Sequence, residues 1–217
     1  MMSNRSTRLA TLLSVTLALV LLLQPATAVG QGRTQKISKK LIERAEDMVD
    51  ELDESKDQLN KTMRKYDSIF SKNKVKDRQK AFSDLNKEIK NTEDRVKKVR
   101  ERSQDMQREA DKFFTEWSQG LASIGDDELR ALSRTTMEEN RARYGEVIES
   151  GLRASTLYDS FLADLKNQTA YLALDVSDAA MERLQETQAA TKDKASELIT
   201  LVDQLSRATK DYLDSMK

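Results

Sequence analysis

From Val75 to Trp117 the apolar residues recur in steps that alternate between three and four. Phe82, Leu85, Ile89, Val96, Val99, Met106, Ala110 and Phe113 all fall on the series, which only Arg78, Thr92 and Ser103 interrupt. An α-helix turns once in about 3.6 residues, so this spacing keeps one face of a long helix toward a partner, and a strict heptad repeat implies supercoiled packing. The stretch before it is broader. Leu41, Ala45, Met48, Leu52, Ser55, Leu59, Thr62, Tyr66 and Ile69 make one row, and Ile42, Val49, Met63 and Phe70 make a second beside it. Two rows touch more than one neighbour, which favours a bundle over a two-stranded coil.

A third stripe runs from Met137 through Asn140, Tyr144, Val147, Gly151, Ala154, Tyr158, Phe161, Leu165 and Gln168 to Leu172. A fourth runs from Met181 through Leu184, Gln188, Thr191, Ala195, Leu198, Val202, Leu205, Thr209 and Tyr212 to Met216. The joints between stripes are short: "SKNKVK" at 71–76, "SQGLASIGDD" at 118–127 and "ALDVSD" at 173–178. Short links make sequential helices antiparallel. The reading is all-α: an elongated antiparallel four-helix bundle or coiled coil, residues 37–217, with helices at about 37–71, 76–118, 127–173 and 178–216. In the second joint Gly120 and Gly125 bracket the turn, Trp117 is the last knob before it, and Asp126, with Asp127 and Glu128, sits where a helix start favours negative charge. These four residues, Trp117, Gly120, Gly125 and Asp126, are read as a structural joint. In the third joint Asp175 or Ser177 supplies the start signal.

Residues 1–28 are read differently. Arg5 and Arg8 precede an uncharged apolar run from Leu9 to Leu23, Pro25 breaks it, and Ala26-Thr27-Ala28 offers small residues where a signal peptidase reads them. The run is shorter than the roughly 20 residues that span a bilayer. The expectation is a cleavable export signal cut between Ala28 and Val29, then a short flexible segment at 29–36, with no membrane span after cleavage and residence in the periplasm or cell envelope of a bacterium.

Composition adds mainly exclusions. The 217 residues include one proline and six glycines, 34% charged residues, and neither cysteine nor histidine. Disulfides, thiolate and imidazole metal sites, cysteine nucleophiles and histidine-based triads are thereby removed. The paired acids Glu138 and Glu139, or Asp126 and Asp127, lack a histidine companion, and neighbours on a helix point apart. Trp117, Tyr144 and Tyr158 lie on core stripes, which favours packing over an aromatic pocket. Gly151 beside Ala154 suggests close helix approach, and Arg78, Thr92, Ser103, Asn140, Gln168 and Gln188 read as seam residues that fix register. No enzyme, cofactor or metal is expected.

The 37 basic and 37 acidic residues cancel. Residues 29–117 carry 23 basic and 19 acidic groups and residues 118–217 carry 12 and 18, a difference suited to two hairpins that attract each other and too slight for a nucleic-acid surface. One patch stands out. Lys72, Lys74, Lys76, Arg78 and Lys80 meet only Asp77 in "SKNKVKDRQK", a candidate contact for an anionic surface.

The segments "FFTEW", "DELRALS", "RARYGEVI" and "ADLKNQTAYLAL" resemble a bacterial family of exported helical proteins catalogued as a domain of unknown function. The resemblance is carried by Phe113, Glu116, Trp117, Leu129, Arg130, Ser133, Arg143, Tyr144, Tyr171 and Leu172 and spans most of residues 40–215. It implies export and a coiled-coil-rich helical fold, and no activity. Family members often carry a cysteine after the signal and asparagine in the third joint; this chain has neither. The functional expectation is an exported structural or interaction protein of the cell envelope, partnered by a protein or by an anionic envelope surface and open to oligomerisation. The alternatives are a membrane-surface or lipid-handling helical protein and a small-ligand-binding bundle.

Overall fold

The computed structural model describes residues 28–216, with side chains from residue 36. Most of the expected signal segment, residues 1–27, lies outside the described residues, and the side chains of Ala28 and Val29 do too. Every regular element described is helical: α1 (Ala28–Phe70), α2 (Val75–Leu121), α3 (Asp127–Leu174), α4 (Asp178–Arg183) and α5 (Gln185–Ser215). The long helices pack around a square, α1 beside α2, α2 beside α3, α3 beside α5 and α5 beside α1.

Side-chain pairs give direction and register. Arg95 meets Glu51 at 2.8 Å while Lys65 meets Asp84 at 3.3 Å, so α2 descends as α1 rises. Ser55 pairs with Tyr158 and Tyr66 with Gln168 across the diagonal, so α1 and α3 rise together. Lys56 meets Asp203 at 2.8 Å and Gln188 reaches Asp67 at 3.2 Å, so α5 descends. Helices of 43, 47 and 48 residues correspond to rods of about 65–72 Å at about 1.5 Å per residue.

The stripes become the core. All nine members of the α1 row from Leu41 to Ile69, Ser55 and Thr62 included, are buried, and so is every member of the α3 stripe except half-buried Gly151. The α2 series is turned inward from Arg78 to Trp117, but its first member, Val75, is 49% exposed because it opens the helix at the end of the rod.

Several boundaries differ from the sequence reading. Helix α1 begins at Ala28, so 29–36 continues the helix rather than forming a flexible lead-in. Helix α2 runs on through Gly120 to Leu121, which leaves only 122–126 as the second joint, with Gly125 in the turn and Gly120 inside the last helical turn. The fourth helix is split at Leu184, whose N–H is shared between the Ala180 and Met181 carbonyls before Gln188 N–H resumes on Leu184 O at 2.8 Å. The helix tightens for one residue there while its apolar face stays inward. A Cβ on Gly151 would lie 3.9 Å from Leu205 Cδ2, ordinary contact, so the helices do not approach closely enough to require glycine.

The opposite-sign halves do not dictate the ion pairs. Lys56 and Arg100 of the first half reach Asp203 and Asp159 of the second, while Lys166 and Lys192 of the second reach Glu93 and Asp67 of the first. The contacts follow helix adjacency.

Candidate functional site

The two ends of the rod hold the residues singled out in the sequence. One end, the tip, is formed by the 71–74 and 175–177 joints. Lys72, Lys74, Lys76 and Lys80 are all exposed there, as is Asp77. Arg78 is not part of that surface. It is 6% exposed, its Nε donates to Lys72 O at 2.8 Å, Nη1 donates to Val176 O at 3.0 Å, and Nη2 pairs with Asp178. The series of threes and fours puts position 78 on the inward face, so its guanidinium is spent on carbonyls of both joints and ties them together. A fork of five fixed donors suits that task.

The third joint is ordered by its own polar groups. Asp175 accepts from the Ser177 N–H at 2.8 Å and from its hydroxyl at 3.0 Å, which holds the exposed Asp175 carboxyl below its ordinary range. Ser177 in turn caps α4 by accepting from the Ala180 N–H at 3.3 Å. Both start signals are therefore used, in sequence. Val75 and Leu174 flank this end with exposed side chains, 49% and 88%, which the periodicity did not indicate because both stand at helix termini.

At the opposite end Trp117 is half-buried, its ring edge-on to Phe113 at 5.3 Å between centroids, and its indole N–H donates to the Ser133 hydroxyl at 3.1 Å. The bond crosses from the end of α2 to the start of α3. Asp126 caps α3 by accepting from the Leu129 N–H at 2.9 Å, and Arg130 donates to Ile124 O at 2.9 Å and to Asp127 at 2.7 Å. Phe114 packs on Tyr144 and carries the Arg141 guanidinium over its ring at 5.1 Å. Phe113, Trp117 and Ser133 are thus joined across the turn, Arg130 is tied to the turn's own groups, and Tyr144 meets Phe114 further along the helices. Arg130 is the residue that reasoning from periodicity missed here. Glu138 and Glu139 stay exposed on α3.

Between the ends, polar residues cross the core. Tyr66 donates to Gln168 Oε1 and Gln168 Nε2 donates to Thr191 at 2.8 Å, linking α1, α3 and α5; Thr62 and Thr92 join α1 and α2 at 2.8 Å. Burial pushes the Tyr66 and Tyr158 hydroxyls up to about 12. Glu88 is 5% exposed. Burial raises its carboxyl, but hydrogen bonds from Gln58, Asn91 and Lys61 outweigh it and bring it down to about 2. Glu88 stays ionised because three donors satisfy it, an arrangement that locks α1 to α2.

Among the described residues no group of three or more acids could hold a metal ion, and no helix is long and apolar enough to cross a membrane. A shallow groove of about 510 Å³ between α3 and α5 is lined by Arg143, Glu146, Gln204, Arg207 and Asp211 and floored by Tyr212. No curated protein and no solved structure matches the chain. Residues 31–216, which take in every packed helix of the bundle, match the family model described as a protein of unknown function, DUF2959, and the chain belongs to that family.

Proposed function

We propose that the protein is an exported, non-enzymatic structural or interaction component of the bacterial cell envelope, a rod that meets an anionic envelope surface with its tip. The observation that carries this reading is the division of labour in the basic segment: Arg78 is withdrawn to clamp the two joints while Lys72, Lys74, Lys76 and Lys80 stay exposed at the rod's end. A charged group placed at the end of a stiff helical body reaches outward without unfolding anything, and clustered cations attract anionic surfaces in a salt-dependent way. The Arg-flanked apolar run with Ala26 and Ala28 supports export.

Fractionation of the producing bacterium, with N-terminal sequencing of the recovered protein, tests location. The expected result is envelope protein beginning at Val29; a cytoplasmic protein with an intact N-terminus overturns the reading. Crosslinking in living cells through a photoreactive residue at Lys74 is expected to capture envelope material, whereas the same group at exposed Glu139 captures less.

A further inference from the structure

The geometry points to an anionic phospholipid bilayer as the surface that the tip meets, with Val75 and Leu174 entering the interfacial layer beneath the lysines. The inference rests on the tip being the contact end and names what it contacts. Among the described residues five large apolar side chains are strongly exposed, and Leu174, at 88%, is the most exposed of them. It closes α3, whereas Val75, at 49%, opens α2. Arg78 binds carbonyls of both adjoining joints, Lys72 O and Val176 O, so the apolar pair and the lysines are held on one end of one body.

The acids at this end do not cancel the cations. Asp178 is paired with Arg78, which leaves the exposed carboxylates Asp77 and Asp175 against four exposed lysines, Lys72, Lys74, Lys76 and Lys80, an excess of positive charge. An acidic polysaccharide offers counter-charges for lysines but little to cover exposed leucine and valine. A bilayer surface supplies both, phosphates at headgroup depth and hydrocarbon just below, which is the combination that interfacial binding uses. The contact is small, so binding is weak and reversible, and the rod stands away from the membrane because only its end carries the pair.

The test uses the processed protein from Val29, which keeps every core residue of the bundle. The probes are phosphatidylcholine vesicles with and without phosphatidylglycerol, and alginate on beads. The parent is expected to co-sediment with phosphatidylglycerol vesicles at low salt and to be released as salt rises. Replacing Lys72, Lys74, Lys76 and Lys80 by Gln should reduce binding by roughly fivefold per lysine, against vesicles and alginate alike. The pair Val75→Ser and Leu174→Ser should reduce vesicle binding roughly tenfold while leaving alginate retention unchanged. Trp117, at the far end, should show no fluorescence shift on vesicle binding. Vesicle binding by the serine variant equal to the parent's overturns the lipid assignment, and the lysine variant then separates the two ideas: its loss of alginate binding keeps the tip as a polyanion contact, and its retention removes the tip reading as well. A Trp117 blue shift with vesicles assigns the contact to the wrong end and also overturns the inference.

Discussion

The tip half and the joint half of the rod are built from the same helices and held by different interactions. Toward the tip, Ser55, Thr62, Tyr66, Thr92, Gln168 and Thr191 hydrogen-bond between helices inside the core, and Arg78 closes the end. Toward the joint, Phe113, Phe114, Trp117, Tyr144 and Tyr212 pack as rings, and the Tyr144 and Tyr212 hydroxyls meet no protein partner although the rings lie 5.7 Å apart. Directional bonds are lost when a helix slides by one turn, whereas ring packing tolerates adjustment. Register is therefore specified near the tip, where two joints must stay aligned, while the other end gains its stability from apolar area.

The largest effect that sharpens this contrast is expected at Phe114, 3% exposed. Phe114→Ala should cost about 3–5 kcal/mol, read as a lowered urea midpoint with unchanged slope. Gln168→Leu should cost about 1–3 kcal/mol by removing the acceptor of the Tyr66 hydroxyl and the donor to Thr191, which keeps its own bond to Thr187 O, whereas Tyr212→Phe removes a hydroxyl with no protein partner and should cost nothing or stabilise slightly. Equal losses at Gln168 and Tyr212 in the same denaturation series would erase the distinction between the halves. Trp117→Ala should cost about 1–3 kcal/mol, less than a fully buried ring, because the indole is half-buried and gives up one bond to Ser133.

An acid titration probes the tip half. The Glu88 carboxyl is depressed to about 2 in the folded chain, so its contribution is fully present above the ordinary carboxylate range and is lost as pH falls toward about 2, on the order of 1–3 kcal/mol. Denaturation midpoints at mildly acidic pH and near pH 2.5 should therefore converge in Glu88→Gln relative to the parent. At alkaline pH the sign is opposite. Tyr66 and Tyr158, raised to about 12, hold stability that is intact below about 10 and declines as the unfolded chain ionises first; burial raises Tyr144 and Tyr212 of the joint half too, so the alkaline loss is shared by both halves. The smallest effect is a gain: a Cβ on Gly145 meets nothing within 4 Å in the middle of α3, so Gly145→Ala should raise stability by about 0.5–1 kcal/mol in thermal melts.

Local periodicity determined the number and inward face of the long helices, because burial of a stripe depends on spacing that is written residue by residue, and the short joints determined their direction. It put Thr62, Tyr66, Gln168 and Thr191 in the seam, and local residue types offered Asp126, and Asp175 or Ser177, as start signals, since capping involves only groups three residues apart. The family likeness was legible at Phe113, Trp117, Ser133 and Tyr144. What these residues do was not, because their meeting depends on α2 and α3 folding back on each other.

Tertiary structure decided the rest. Arg78 belonged by pattern both to the seam and to a basic run, and only the approach of the 175–177 joint, a hundred residues on in the chain, made it a clamp. Val75 lies on an inward series yet faces solvent, because a helix end has no next turn to cover it. The ionised state of Glu88 and the exposure of Leu174 beside the lysines likewise arise from which helices stand together. The pattern of a sequence determines which face of a helix seeks cover; which residues finally touch, and which are left outside at the ends, is settled by packing between segments far apart in the chain.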